Sequence, residues 1–462
     1  MLKNEIGETK AFFADLIEEI ERYAVYADAL LMKNSEKRIS KDKNSVDIAT
    51  DADFGVKVRL FDGASFQEIC ISGFDKEEIR KKSLEKAKKI KRQNKIHLNI
   101  DVKQIDKDFF AKLETNPEIV SLPEKVASVN MLYKEFEKQS KEFVNVRIVY
   151  IEEREEKIFV NRYKRMYQNN PRVMVAMMPI VQTKEGEIRF HYSGTSTNGF
   201  ESIKKAMSKI SETAKMALRI RDAKKIAPGR YTTILCPHVT GLLAHESFGH
   251  GMESDTIWED RAKAKEYLGK KIAAEYVSIM ENPILEGRNG SYFFDDEGQI
   301  AEPVYLVKNG IVTQPITELY SISRLGLKRT ANGRCESYDH KSFARMSNTY
   351  FTAGKMPPEE MIKKVKDGLY LHQGGGGMED PKGWGVQIQG ILAEKIKDGK
   401  LTGELFYEVT LTGFLPEILG NIKAVGNKLI VEGTGSCGKG HKEWVRVSEG
   451  GPHLLIEGVP LS

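Results

Sequence analysis

Two patterns of secondary structure meet at Ala227-Pro228-Gly229-Arg230-Tyr231-Thr232-Thr233-Ile234-Leu235. Helical and strand-like segments alternate before this stretch, whereas hairpin turns recur after it. A Pro-Gly pair that follows a long helical segment and precedes a strand is typical of a domain boundary. We therefore predict an α+β fold, with a mixed α/β domain in residues 1–226 and a β-rich antiparallel domain in residues 229–462.

The first part of the sequence shows clear amphipathic periodicity. An acidic helix is predicted near the N-terminus, and three more helices are predicted at Glu77–Asn94, Pro123–Lys138 and Phe200–Lys224. One side of the N-terminal helix carries Phe13, Leu16, Ile17 and Ile20. The strand-like runs are Phe143–Ile151, Lys157–Asn161, Val173–Val181 and Gly186–Tyr192.

The second part is marked by turn residues between alternating apolar and polar runs. Asn309-Gly310 and Asp398-Gly399 are strong hairpin signals, and Asn289-Gly290 and Asn427 are weaker ones. These turns indicate antiparallel strands.

Composition limits the class of function. The 462 residues suit two domains, and 40% hydrophobic with 30% charged residues is typical of a folded globular protein. A net charge of +5 is small on such a surface, and the basic stretch Arg80–Arg92 has the pattern of a solvated helix face, so we expect no nucleic-acid partner. No signal sequence and no membrane span are indicated, which predicts a cytoplasmic protein. Four scattered cysteines without a CxxC pair argue against a disulfide framework and a zinc finger.

The run His245-Glu246-Ser247-Phe248-Gly249-His250 is the strongest chemical motif. In the common His-Glu-x-x-His pattern, the histidines lie four residues apart on a helix and reach one zinc ion while the glutamate acts as base. Here they are five apart, about 140° round an ideal helix, so they converge only if the helix is distorted. A π-type bulge brings such residues together, and Gly249 lowers the steric barrier to it. We predict a buried helix, capped by Thr240, that is distorted near Gly249.

A catalytic zinc ion takes three protein ligands and leaves one position for water. Glu253 and Asp255 lie just downstream of the motif, whereas Cys437 lies in a glycine-rich segment where Lys439 favours the thiolate. Chemistry alone leaves the third ligand open between the acidic residues and Cys437.

Other residues carry weaker signals. Tyr338, His340 and His441 are polar candidates to stabilise an oxyanion, although such residues are more often structural. The acidic run Asp295–Gly298 is explained more simply by a turn than by a second metal site. Gly374–Gly377 lacks the Lys-Ser/Thr of a phosphate loop, so we interpret it as a flexible edge that accepts an extended peptide through backbone hydrogen bonds.

Five motifs in register resemble those of the TldD/PmbA family of zinc-dependent proteases, specifically its TldD-type branch, which carries the metal motif. The resemblance covers most of the chain. The motifs are His245–Asp255, Phe294–Gly298, Asn332–Tyr338, Arg345–Tyr350 and Gly435–Lys439. The glycine-rich run before the predicted helix Phe200–Lys224 departs from the family and is reduced to Ser193–Gly199.

The resemblance implies that zinc is held by His245, His250 and Cys437 in a β-rich C-terminal domain. It also implies a dimer, formed by two copies or with a PmbA/TldE-type paralogue that lacks the metal motif. The family's substrates are peptides and unfolded protein segments, threaded into an enclosed site. The sequence therefore predicts a zinc-dependent peptidase with Glu246 as the general base for a metal-activated water.

Two alternatives stay open at this point. A peptide-binding or regulatory scaffold would hold zinc as a structural ion, with a fourth protein ligand in place of water. A peptidase of the dipeptidyl type, which also uses His-Glu-x-x-Gly-His, would take an acidic third ligand. Loss of zinc in Cys437→Ser, with little effect of Glu253→Gln, would exclude the second alternative.

Overall fold

The computed structural model describes residues 3–440 and 442–462, and it has the predicted α+β architecture. In those residues no helix is long and apolar enough to span a membrane. The elements of the first half are α1 (Lys3–Ile20), β1 (Tyr26–Lys41), β2 (Val46–Phe61), β3 (Phe66–Ser72), α2 (Lys76–Ala87), β4 (Ile105–Phe110), α3 (Leu122–Gln139), β5 (Asn145–Asn161), β6 (Lys164–Gln182), β7 (Ile188–Phe190), β8 (Ser193–Thr197) and α4 (Ser202–Ile220).

The first half is organised by one sheet with the strand order β3-β2-β1-β5-β6-β4, and β7 and β8 also pair with β6. Its strands are antiparallel except for β4, which runs parallel to β6. Apolar residues of α1 and α2 pack with β1 and β2, whereas those of α3 and α4 pack with β5 and β6. The predicted apolar side of α1 is confirmed, because all four of its residues are buried.

The second half carries more and shorter elements. They are β9 (Gly229–Leu235), α5 (Pro237–Ala244), α6 (Ser254–Trp258), β10 (Ile279–Glu281), β11 (Val304–Lys308), β12 (Ile311–Val312), α7 (Leu319–Leu325), β13 (Gly333–Arg334), β14 (Phe343–Ala344), β15 (Asn348–Phe351), α8 (Pro358–Lys364), β16 (Asp367–Gln373), β17 (Gly376–Asp380), β18 (Gly385–Lys397), β19 (Lys400–Phe414), α9 (Leu415–Gly420), β20 (Ile422–Val425), β21 (Ile430–Glu432), β22 (Ser436–Lys439), β23 (Lys442–Arg446), β24 (Ser448–Gly451) and β25 (Leu454–Leu461).

Two larger sheets enclose helix α5. One has the order β16-β9-β25-β19-β18-β17, with β20 on β25, and the other has the order β12-β11-β10-β15-β24-β21. Pairing is mostly antiparallel, as predicted, but β9–β16 and β15–β24 are parallel. Because α5 contacts β16 and β18 of the first sheet and β15 and β24 of the second, it lies at the centre of the largest hydrophobic core.

The predicted helices and strands are present, with shifted ends. Helix α2 stops at Ala87 and not at Asn94, because Ile90 is the only apolar residue among residues 88–94 and little is left to bury. The predicted strands Phe143–Ile151 and Lys157–Asn161 are parts of the single strand β5. The acidic segment between them stays extended because its backbone pairs with β1 and β6 on both sides.

The two strong hairpin signals are confirmed. Asn309-Gly310 joins β11 to β12 and Asp398-Gly399 joins β18 to β19, with positive φ at all four residues, as a two-residue I′ turn requires. The weaker signals do not form tight hairpin turns: Asn289-Gly290 lies in the long segment between β10 and β11, which pair antiparallel, and Asn427 lies between β20 and β21, which do not pair with each other. Asn289 instead ties distant segments together by donating to the carbonyl of Val447.

The acidic run Asp295–Gly298 forms the predicted turn and connects the two halves. Gly298 adopts a φ of 72° and donates its N–H to the carbonyl of Asp295. Arg59 of β2 pairs with Glu297 at 2.6 Å, and Lys157 of β5 pairs with Asp296 at 2.5 Å. The buried acids of this turn are therefore paired with cations of the first sheet. Strand β9 begins at Gly229, and the division into residues 1–226 and 229–462 stays a prediction.

Candidate metal centre

Helix α5 carries the metal motif into the core of the second half. It begins at Pro237, which suits a first helical turn because its missing N–H would have no partner there. Gly241 allows close packing on β24, since a Cβ at this position would overlap the backbone of Gly450. The prediction that Thr240 caps the helix is wrong, because Thr240 lies within it and its buried hydroxyl has no hydrogen-bond partner among the described residues.

The helix changes into a π-helical turn at His245–Gly249. The N–H of His250 donates to the carbonyl of His245, and this five-residue step brings the two histidines to the same side. The predicted distortion is confirmed. Glycine is favoured at position 249 for a reason other than the expected one. Its φ of −65° is ordinary for a helix, but a Cβ at this position would overlap the Sδ of Met346.

Cys437 reaches the two histidines from the separate hairpin β22–β23. Its Sγ is 3.1 Å from Nε2 of His250, and the rings of His245 and His250 are 5.4 Å apart at 88°. One donor atom from each of the three residues lies within 4.8 Å of the other two. The predicted ligands therefore form one cluster, which no fourth His, Cys, Asp or Glu side chain of the described residues joins.

The three donors control one another's protonation. Burial opposes a charged thiol, but the charges and hydrogen bonds of His245 and His250 outweigh it and hold the pKa of Cys437 well below its ordinary value. Burial also opposes charged histidines, yet the thiolate raises the pKa of His245 to about 9 and raises that of His250. The thiol and the two imidazoles thus favour opposite charges on one another, and a divalent cation bound by the three donors would take the place of the histidine protons. Two imidazoles and a thiolate are donors that suit zinc, so these residues fit that ion.

Glu253 lies behind His250. Its Oε1 is 3.3 Å from Nδ1 of His250, the nitrogen that faces away from the thiol, and its Oε2 is 2.8 Å from Nζ of Lys439. Arg345 lies 3.5 Å from the same carboxylate, and Asp255 is 2.7 Å from Lys439. Burial opposes the charged carboxylate, but Lys439 and His250 lower the pKa of Glu253 to about 2. Carboxylates commonly orient ligating histidines in this way, so the geometry favours the thiol over both acids as third donor.

Glu246 is buried beside the cluster. Burial raises its pKa, and the charges of His245 and His250 partly offset that effect. A raised pKa brings a carboxylate closer to the range in which it can accept and return a proton at neutral pH. Gly377 of β17 makes room for the side chain, since a Cβ there would lie 2.5 Å from Cγ of Glu246. Glu246 therefore lies next to both the cluster and β17.

Comparison with known proteins gives the family. The sequence pattern of the PmbA/TldA metallopeptidase C-terminal domain matches residues 228–462. The chain belongs to the TldD/PmbA family. A metalloprotease of Methanocaldococcus jannaschii is 28% identical over 444 residues, which cover 94% of this chain and 96% of that protein. A metalloprotease of Methanothermobacter thermautotrophicus is 31% identical over 318 residues, 68% of each chain. The crystal structure of TldE from Thermococcus kodakarensis has a TM-score of 0.77 at 13% identity, with 98% of this chain and 100% of that chain covered, and it shares the fold.

Other candidates in this TldD/PmbA chain lie outside the cluster. Tyr338 packs against Gly55 of β2, and His340 pairs with Glu443 through contacts of 3.0 Å. His441 lies outside the described residues. Neither Tyr338 nor His340 belongs to the cluster of the three donors, and an oxyanion role for them stays a prediction.

The glycine run Gly374–Gly377 leads into β17. This strand is at the edge of its sheet and, within the described residues, pairs only with β18. It also contacts the π-helical turn. An edge strand has free backbone N–H and C=O groups, so β17 has the geometry expected for an edge that accepts an extended peptide.

Two acidic residues near the cluster were not indicated by any motif. Burial raises the pKa of Glu449, on β24, to about 7, against the opposing charge of His245. Glu379, on β17, is two residues beyond Gly377 and faces the same side of the strand. The two-residue alternation could have indicated Glu379, but only once β17 had been recognised as a strand beside the motif helix.

Proposed function

We propose that this chain is a zinc-dependent peptidase of the TldD type that hydrolyses peptides or unfolded protein segments. The observation that carries the proposal is the convergence of His245, His250 and Cys437 in one buried cluster with Glu246 beside it. Membership of a metallopeptidase family supports the class of reaction. A set of three donors is typical of catalytic zinc, whereas four protein ligands are typical of structural zinc, which favours the enzyme over the scaffold.

Each residue near the cluster has a role in this proposal. A zinc ion bound here would polarise a water molecule and the scissile carbonyl. Glu246 accepts a proton from the water as its oxygen bonds to the carbonyl carbon, and it returns the proton to the leaving nitrogen as the C–N bond breaks. Glu253 orients the ring of His250, and Lys439 and Arg345 hold Glu253 in place.

The proposal also covers the substrate and the partner. The edge of β17 would hold an extended peptide through main-chain hydrogen bonds, which gives little preference for particular side chains. As in the expectation from sequence, the partner is a second copy or a PmbA/TldE-type paralogue, and the compartment is the cytoplasm. Light scattering of the purified chain, alone and with the paralogue, measures the partner directly.

Metal analysis and peptide digestion test the function together. We expect the wild type to bind one zinc per chain and to cleave an unstructured peptide library, and a chelator to abolish cleavage. Glu246→Gln should keep zinc and lose cleavage, whereas Cys437→Ser should lose both. Cys70→Ser, which changes an exposed cysteine, is the matched control and should behave as the wild type.

Two results would contradict the proposal. Full activity of Glu246→Gln would exclude this residue as the base. A wild type that binds zinc and cleaves nothing, alone or with the paralogue, would favour the scaffold instead.

A further inference from the structure

We propose that Glu379 is a second catalytic carboxyl group of this site, which donates a hydrogen bond to the carbonyl oxygen of the scissile peptide bond. The inference rests on the proposed peptidase function and adds a residue to it. It starts from a buried acidic side chain on β17 that has no partner in the structure.

Strand β17 directs Glu379 toward the metal motif. Gly377 and Glu379 face one side of the strand and Met378 faces the other, where 57% of its surface is exposed. A Cβ at Gly377 would lie 2.5 Å from Glu246, and a Cβ at Gly251 would lie 3.4 Å from Oε2 of Glu379. Glu246 therefore lies opposite Gly377, and Glu379, the next residue on that side of β17 about 7 Å further along the strand, lies against Gly251, which follows His250.

A hydrophobic anchor holds β17 in this place. Trp384 lies at the turn between β17 and β18 and is fully buried, with its ring 5.6 Å from Phe248 of the π-helical turn and 4.9 Å from Tyr267. Its indole nitrogen donates to the carbonyl of Ser247 at 3.3 Å. The position of Glu379 is thus set by packing against the turn that carries the histidines.

The carboxyl group of Glu379 has no hydrogen-bond partner. Both of its oxygens are buried, and neither contacts a donor among the described residues. Leaving a buried polar group unpaired is unfavourable, so such a group in a native protein calls for an explanation. Glu253, by contrast, has Lys439 as an ion-pair partner, 2.8 Å from its Oε2. A substrate atom is the partner that would satisfy Glu379.

The surroundings of Glu379 also determine whether its carboxyl group can donate a hydrogen bond. Burial raises the pKa of Glu379 well above its ordinary value, an effect opposed by the charge of His250 and increased by those of Glu253 and Glu246. A neutral carboxyl group donates one hydrogen bond, as a carboxylate cannot. In hydrolysis, Glu246 carries the proton from water to the leaving nitrogen, and Glu379 keeps its own proton while its hydrogen bond stabilises negative charge on the carbonyl oxygen.

Two substitutions test whether Glu379 acts as a hydrogen-bond donor, as a metal ligand or only as a structural residue. Glu379→Gln keeps an N–H donor of similar shape, whereas Glu379→Ala removes the donor. We expect kcat of Glu379→Ala to fall about 100-fold, the usual effect of losing one such donor, and kcat of Glu379→Gln to stay within about tenfold of the wild type. Glu404→Ala, at an exposed glutamate of the same sheet, is the matched control.

A binding measurement gives a readout besides activity. Acetohydroxamic acid presents a carbonyl oxygen to a zinc site, and its affinity for the zinc-loaded protein should fall at least tenfold in Glu379→Ala and little in Glu379→Gln. Zinc content and the unfolding midpoint should match the wild type in both variants.

The outcomes distinguish this inference from the proposed function. If the wild type cleaves peptides and Glu379→Ala has normal kcat and normal hydroxamate affinity, the inference is wrong and the peptidase proposal stands. Loss of zinc from Glu379→Ala would make Glu379 a ligand and would also overturn the inference. If the wild type cleaves nothing, the proposed function fails. Weaker hydroxamate binding by Glu379→Ala than by Glu379→Gln would then still show that residue 379 donates a hydrogen bond to a ligand at the zinc site, but not that it acts in peptide hydrolysis.

Discussion

Glu253→Gln tests how the buried charges behind the metal site contribute to stability. The substitution keeps the size of the side chain and removes its negative charge. Lys439, which is 2.8 Å from Oε2, and Arg345, which is 3.5 Å from Oε1, would then lose their buried carboxylate partner. We expect both the fold and the zinc site to be weakened.

The size of the effect follows from the pKa of Glu253. The folded protein holds it at about 2, against an ordinary value of 4.5. At about 1.4 kcal/mol for each tenfold change, the charged carboxylate adds on the order of 3 kcal/mol to the free energy of unfolding at neutral pH. Because the folded-state pKa is the lower one, this contribution is present above pH 4.5 and is lost as the pH falls toward 2.

Denaturant unfolding and zinc competition measure the two effects. At pH 7, we expect Glu253→Gln to lose about 3 kcal/mol of unfolding free energy and about 10- to 100-fold in zinc affinity, the usual cost of removing such an outer partner. Glu259→Gln is the control, because Glu259 is exposed and pairs only with an exposed arginine. A Glu253→Gln protein as stable as the control, with unchanged zinc affinity, would show that the Glu253 carboxylate stabilises neither the fold nor the zinc site.

Three further substitutions test two close contacts of glycines and the burial of one histidine. Gly249→Ala would force a Cβ into Met346, so we expect a lower melting temperature and weaker zinc binding, and unchanged values would exclude this steric role. Gly377→Ala would displace Glu246, so kcat should fall at least about tenfold while the zinc content stays normal; a normal kcat would contradict the proposed base. Burial lowers the pKa of His238 to about 4 from an ordinary 6.5. As the pH falls, this histidine is therefore protonated in the unfolded chain before it is protonated in the folded protein. As the pH falls from 6.5 to 4, His238 should therefore reduce the free energy of unfolding by about 1.4 kcal/mol per pH unit, and the slope measured for His238→Asn should be smaller than that of the wild type by this amount.

Local sequence was sufficient for several features because they depend on neighbouring residues. The five-residue spacing of His245 and His250 demanded a distorted helix, and the π-helical turn is present. Two turns with Asn or Asp before glycine closed the expected hairpins. Predictions failed where distant contacts outweighed the local signal: the pairing of β5 with its neighbours keeps an acidic segment extended, and Asn289 anchors a loop.

The sequence alone indicated which residues of the motif can converge on one metal ion and that the helix must be distorted for them to do so, because backbone geometry sets the angle between side chains five positions apart. From the residues alone, Cys437 and the nearby acids were equal candidates for the third donor. Only the tertiary structure brought the thiol, 187 positions away, to 3.1 Å from His250 and set Glu253 behind that ring. It also buried the two carboxyl oxygens of Glu379 where none of the described residues offers them a hydrogen bond. Contacts between distant segments depend on how the sheets pack around α5, and that packing is a property of the whole chain.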